Sequence, residues 1–76
     1  MNVRLVRFTH VDDPYYYIQR TSDDLWFQLR NHTAAWTTNV ADAAGYFTPG
    51  NARFAAASHG LVVVTLVDSS GRPLSE

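Results

Sequence analysis

The chain has 76 residues, no cysteine, and six basic against seven acidic side chains. Those counts exclude a disulfide scaffold, a thiolate zinc site, a two-domain enzyme with an interdomain cleft and a strongly cationic nucleic-acid clamp. With 46% hydrophobic and 13% aromatic residues it is too apolar to stay disordered, and no apolar run approaches the roughly 18 residues of a membrane span.

The first apolar block, Val3 to Phe8, is β-branched and aromatic enough to form a strand. Its phase is ambiguous, because Leu5 and Val6 are adjacent and place apolar groups on both faces. Val11-Asp12-Asp13-Pro14 reads as a turn, since Asp favours turn starts and Pro14 biases Asp13 away from helix. Tyr15 to Arg20 is a second strand and Thr21-Ser22-Asp23-Asp24 a second turn. Leu25 to Arg30 alternates cleanly, with Leu25, Phe27 and Leu29 on one face and Trp26, Gln28 and Arg30 on the other. Residues 31 to 38 read mostly as loop, with Trp36 folded back onto the core. The sequon Asn31-His32-Thr33 reads as accidental in a chain that is not exported.

Two helices are expected next. Val40, Ala43, Ala44 and Phe47 fall at i, i+3, i+4 and i+7, a helical stripe that Gly45 limits to about two turns. Thr48-Pro49 supplies the N-cap and first position of a helix that runs to His59 and stops at Gly60. Leu61 to Val67 is the strongest strand, apolar on both faces, and residues 69–76 read as a flexible tail. The chain is therefore expected to be a single α+β domain over residues 1–76, in the order β-β-β-α-α-β. About four antiparallel strands would form one sheet, with two short helices on one face.

Neither metal nor catalytic chemistry is indicated. The histidines, His10, His32 and His59, lie far from the close ligand pairs of structural zinc, and no cysteine assists them. Ser22 beside Asp23, and His10 near Asp12, read as turn residues satisfying local backbone rather than as a triad. Ser69-Ser70-Gly71 lacks the spacing and the following helix of a phosphate loop. A non-enzymatic protein without a cofactor is expected.

The face turned away from the helices is the more informative feature. Tyr15, Tyr17 and Gln19 should share it with Trp26, Gln28 and Arg30, and Arg7 is expected to join them. Tyr, Trp and Arg are the residue types that dominate interface hot spots. The acidic pairs Asp12-Asp13 and Asp23-Asp24, at opposite ends of the second strand, would complete a partner-binding surface suited to basic groups. The same face offers a homodimer seam. Aromatic and Arg residues on a sheet are also the materials of a single-strand nucleic-acid platform, but the net charge of −1 and the acidic turns oppose phosphate.

Taken together, Tyr16-Tyr17-Ile18, Leu25-Trp26-Phe27, Trp36-Thr37-Thr38, Val40-Ala41-Asp42-Ala43, Phe47-Thr48-Pro49 and Leu61-Val62-Val63-Val64 resemble a pattern found in small phage and prophage accessory proteins. Anti-CRISPR inhibitors belong to that group. The resemblance implies a stoichiometric inhibitor that binds a host protein complex, for example a CRISPR effector, and blocks it sterically. It implies no site residues. All six basic residues are Arg, which with the abundant Ala fits a GC-rich bacterial or phage gene. With no secretory signal pattern at Met1 to Leu5, the expected location is the host bacterial cytoplasm.

Overall fold

A computed structural model describes residues 1–10 and 13–74. Its elements in chain order are β1 (Asn2–His10), β2 (Asp13–Arg20), β3 (Trp26–Arg30), β4 (Thr33–Thr37), a single 3-10 turn (Val40–Asp42), α1 (Pro49–Ser58) and β5 (Val62–Asp68). They form an α+β fold with one five-stranded sheet in the order β4-β3-β2-β1-β5. The β1–β2, β2–β3 and β3–β4 pairs are antiparallel and β5 runs parallel to β1. The sheet is thus mixed, not the four-stranded antiparallel sheet expected from the sequence. The helical crossover between β4 and β5 is what permits the parallel pair.

The additional strand is β4. Asn31 and His32 both adopt positive φ, 49° and 64°, the two-residue turn whose twist suits a hairpin. That turn usually has Gly at its second position, and Thr-Ala-Ala-Trp-Thr mixes strand formers with alanine, so neither signal stands out from the residues alone.

One helix forms where two were expected. The stripe Val40, Ala43, Ala44 and Phe47 yields only the 3-10 turn, capped by the Asn39 side chain accepting from the Ala41 N–H. Ala43 is already extended. Beyond it the chain enters the sheet: the Ala44 N–H donates to the Phe27 carbonyl at 3.0 Å, and Tyr46 forms an antiparallel bridge with Tyr16. Among the described residues β2 and β3 are in register only at Gln19 and Trp26, and residues 44–46 fill the gap where they diverge. Tertiary hydrogen bonding outweighs the weak helical stripe here.

α1 follows its sequence signals closely. The Thr48 hydroxyl accepts from the Asn51 N–H at 3.1 Å, and Pro49 occupies the first turn. At the other end Gly60 has φ +71°, while Gly60 and Leu61 donate to the carbonyls of Ala57 and Ala56. This is the left-handed glycine ending that satisfies the last carbonyls. α1 makes its main contacts with β2 and β5. Ala52 and Ala56, both fully buried, let it approach Val3, Leu5, Ile18 and Leu66, which with Tyr16 and Phe27 complete the core.

After β5, Asp68 organises a tight turn. Its carboxylate accepts from the backbone N–H groups of Ser70 and Arg72 and from the Ser70 hydroxyl. These bonds, that from Arg72 foremost, hold its pKa below the ordinary carboxylate value. Residues 69–74, read from the sequence as tail, turn back along β5, with a Val67–Pro73 bridge and a bond from the Leu74 N–H to Leu66.

Candidate interaction surface

Strand alternation divides the sheet into two faces. Val3, Leu5, Tyr16, Ile18 and Phe27 lie on the helix-side face, in one core cluster with Ala52 and Ala56 of α1. The opposite, open face carries Arg4, Val6 and Phe8 from β1, with register partners Gln19, Tyr17 and Tyr15 from β2. Trp26, Gln28 and Arg30 continue it on β3, paired to Thr37, Ala35 and Thr33 of β4.

Phe8, Tyr17 and Trp26 form a three-ring cluster here, with centroids 5.5 to 6.2 Å apart and two edge-on contacts. Tyr15 stacks obliquely on Phe47, centroids 5.3 Å apart. Five aromatic rings therefore share one face. Phe8, Tyr15, Tyr17 and Trp26 are half-buried, whereas Phe47 is 66% exposed. Val6 and Val67 are buried on the β1–β5 side, so the exposed part of the aromatic surface lies toward β2 and β3.

The sequence anticipates Tyr15, Tyr17, Gln19, Trp26, Gln28 and Arg30 on this face, and the register places all of them there. It misses Phe8 and Phe47. Phe8 is hidden by the ambiguous phase at Leu5–Val6, and Phe47 by its place in the helical stripe. Arg7 is a correction: it pairs with Tyr16, so it lies on the helix-side face, and Arg4 takes the open face instead. The Nε of Arg7 is buried without a hydrogen-bond partner among the described residues. Leu29, expected in the core, is 41% exposed because α1 lies mainly over β2 and β5.

The acidic groups are largely satisfied within the chain. Asp24, at φ 62°, forms an ion pair with Arg4. Arg4 Nε also donates to Gln19 Oε1 at 2.8 Å, and the Gln19 amide donates to the Asp24 carbonyl at 3.0 Å. Asp23 receives two bonds from Arg20, at 2.8 and 2.5 Å. The hydrogen bonds between them lower the Asp23 pKa and raise that of Arg20. Arg20 lies on the helix-side face, its guanidinium carbon 4.5 Å from the ring centroid of Trp36. Asp13 begins β2 and is exposed, while Asp12 lies outside the described residues. The expected acidic clamp is thus not assembled: Asp23 and Asp24 are engaged by arginines of the same chain.

Among the described residues no three His, Asp or Glu side chains come together to hold a metal ion, and no pocket is formed. No described helix is long and apolar enough to cross a membrane. No family model, curated protein or solved structure matches the chain.

Proposed function

We propose that the chain is a non-enzymatic protein-binding module whose open sheet face is the contact surface. The observation that carries this reading is the grouping of Phe8, Tyr15, Tyr17, Trp26 and Phe47 on the face opposite α1. Rigid aromatic anchors beside polar groups are the composition of interface hot spots. Rings left at a surface lose contact area that a partner restores.

Charge favours a protein partner over a nucleic acid. Arg4 is tied to Asp24 on this face, and Arg7 and Arg20 belong to the other. Arg30 remains on the open face with no ion pair among the described residues. One cation, on a face that by strand alternation also carries the exposed Asp13, is little for a phosphate backbone. The partner should offer an apolar, aromatic-compatible centre with polar groups around it.

The specific form of this reading is a phage-type anti-defence inhibitor acting in bacterial cytoplasm, supported by the resemblance to small prophage accessory proteins. Its partner would be a host effector complex, blocked by occupation of its surface. The test is capture from bacterial lysate by the wild-type chain, by Trp26→Ala with Phe47→Ala, and by Phe54→Ala on the helix. Retained proteins should be lost from the first variant and kept by the second. Equal retention by both variants would remove the sheet face from the account.

A further inference from the structure

The sheet has two edges, and the sequence treats them differently. Along β5 the register shifts beside Val3 and Arg4, and residues 69–74 fold back over its second half with Pro73 in the return. Irregularity, proline and a covering segment are the usual ways a sheet edge is blunted. Among the described residues β4 has none of them: Thr33-Ala34-Ala35-Trp36-Thr37 contains no charge and no proline, and its pairing to β3 is regular throughout.

The tight turn at Asn31-His32 makes Arg30 and Thr33 the hydrogen-bonded pair that closes the hairpin. Along an antiparallel ladder such pairs alternate. Thr33, Ala35 and Thr37 therefore direct their N–H and C=O groups to β3, and Ala34 and Trp36 direct theirs away from the sheet. Among the described residues neither outward pair meets another backbone group.

We propose that this edge pairs with β4 of a second copy, antiparallel, about a twofold axis at Ala35. Each Ala34 then faces Trp36 of the second copy, and the two such pairs exchange four backbone hydrogen bonds. The side chains are self-complementary in that register. On the open face Ala35 meets its own equivalent at the close position, where a small residue fits, and Thr33 meets Thr37, a favourable cross-strand pair. On the helix-side face the indole of Trp36 is turned inward onto Phe27 and Arg20, so the position facing Ala34 of the other copy is left unobstructed. No charged residue of one strand opposes a like charge. A second copy suits the edge because the segment pairs with itself in this way.

The axis stands perpendicular to the sheet, so a ten-stranded sheet results with both aromatic surfaces on one side. Five residues per strand bury less than a standard interface, and the dimer is expected to be reversible and concentration-dependent.

Sedimentation equilibrium over rising concentration tests this. The wild-type chain should move from 8.5 kDa toward twice that mass. Ala35→Lys and Ala35→Glu each bring like charges together at the axis and should weaken association by about tenfold or more, while their equal mixture restores it. Ala34→Pro removes an outward N–H without breaking a β3 bond and should also weaken association. A wild-type chain that stays monomeric at every concentration overturns the proposal. So does association that survives all three variants, or that Val64→Lys abolishes while Ala35→Lys leaves it intact.

Discussion

Tyr16 and Tyr46 exchange both of their backbone hydrogen bonds, at 2.7 and 2.9 Å, although one lies in a strand and the other in a connecting segment. The pair anchors residues 44–46 in the gap between β2 and β3. Gly45 sits there against the open face, where an added Cβ would lie 3.2 Å from Cε1 of the Tyr17 ring. Gly45→Val should push Tyr17 away from Phe8 and Trp26 and cost about 1–3 kcal/mol, the usual price of overpacking. Urea midpoints for the variant and the wild type measure it. An unchanged midpoint would mean that the Tyr17 ring shifts aside without loss of its packing on Phe8 and Trp26.

The Tyr46 hydroxyl is buried without a hydrogen-bond partner among the described residues. Tyr46→Phe should therefore raise stability, by about 1 kcal/mol. In a domain of this size that is an increase of about 4–8 °C in Tm, read by thermal melting. Burial also raises the phenol pKa above its ordinary value of about 10. The folded chain keeps a proton that the unfolded chain releases. This contribution is present in full below about pH 10 and is lost as pH climbs through the folded value. Alkaline destabilisation should be shallower in Tyr46→Phe.

Acid should act through Asp23 and Asp68. Arg20 lowers the first, and the Arg72 N–H with Ser70 lowers the second. A depressed folded pKa contributes stability above the unfolded value near 4, and that contribution disappears as pH falls through the folded value. Asp23→Asn with Asp68→Asn should lower stability at neutral pH and flatten its decline below about pH 4. Denaturant titrations at a series of pH values show whether the decline persists.

His32 holds a left-handed conformation, φ 64°, at the second position of the β3–β4 turn. An L residue there is strained by roughly 1 kcal/mol relative to glycine. His32→Gly should stabilise the chain by about 0.5–1 kcal/mol, seen as a higher urea midpoint with an unchanged slope.

The legible parts of the fold were those encoded locally. Alternation from Leu25 to Arg30 placed Trp26, Gln28 and Arg30 on the correct face, and Thr48, Pro49 and Gly60 bounded α1 within a residue of where it forms. What escaped depends on distant partners. Residues 44–46 become extended because Phe27 and Tyr16 offer hydrogen bonds, which no helical periodicity reveals. The face of Arg7 follows from register with Tyr16, not from its neighbours Val6 and Phe8. Asp23 and Asp24 looked available because the pairing of Arg20 and Arg4 with them is a feature of tertiary geometry.

Phe47 and Phe54 are the two most exposed phenylalanines, 66% and 76%, and they separate the surfaces at issue. Phe47 stacks on Tyr15 at the open face, while Phe54 projects from α1. Placing a photo-crosslinking phenylalanine analogue at each position in turn, then irradiating in bacterial lysate, reports which surface meets a partner. Adducts to a discrete protein from position 47, absent from position 54, are the predicted result. Adducts from position 54 with none from position 47 would contradict the assignment of the aromatic sheet face as the binding surface.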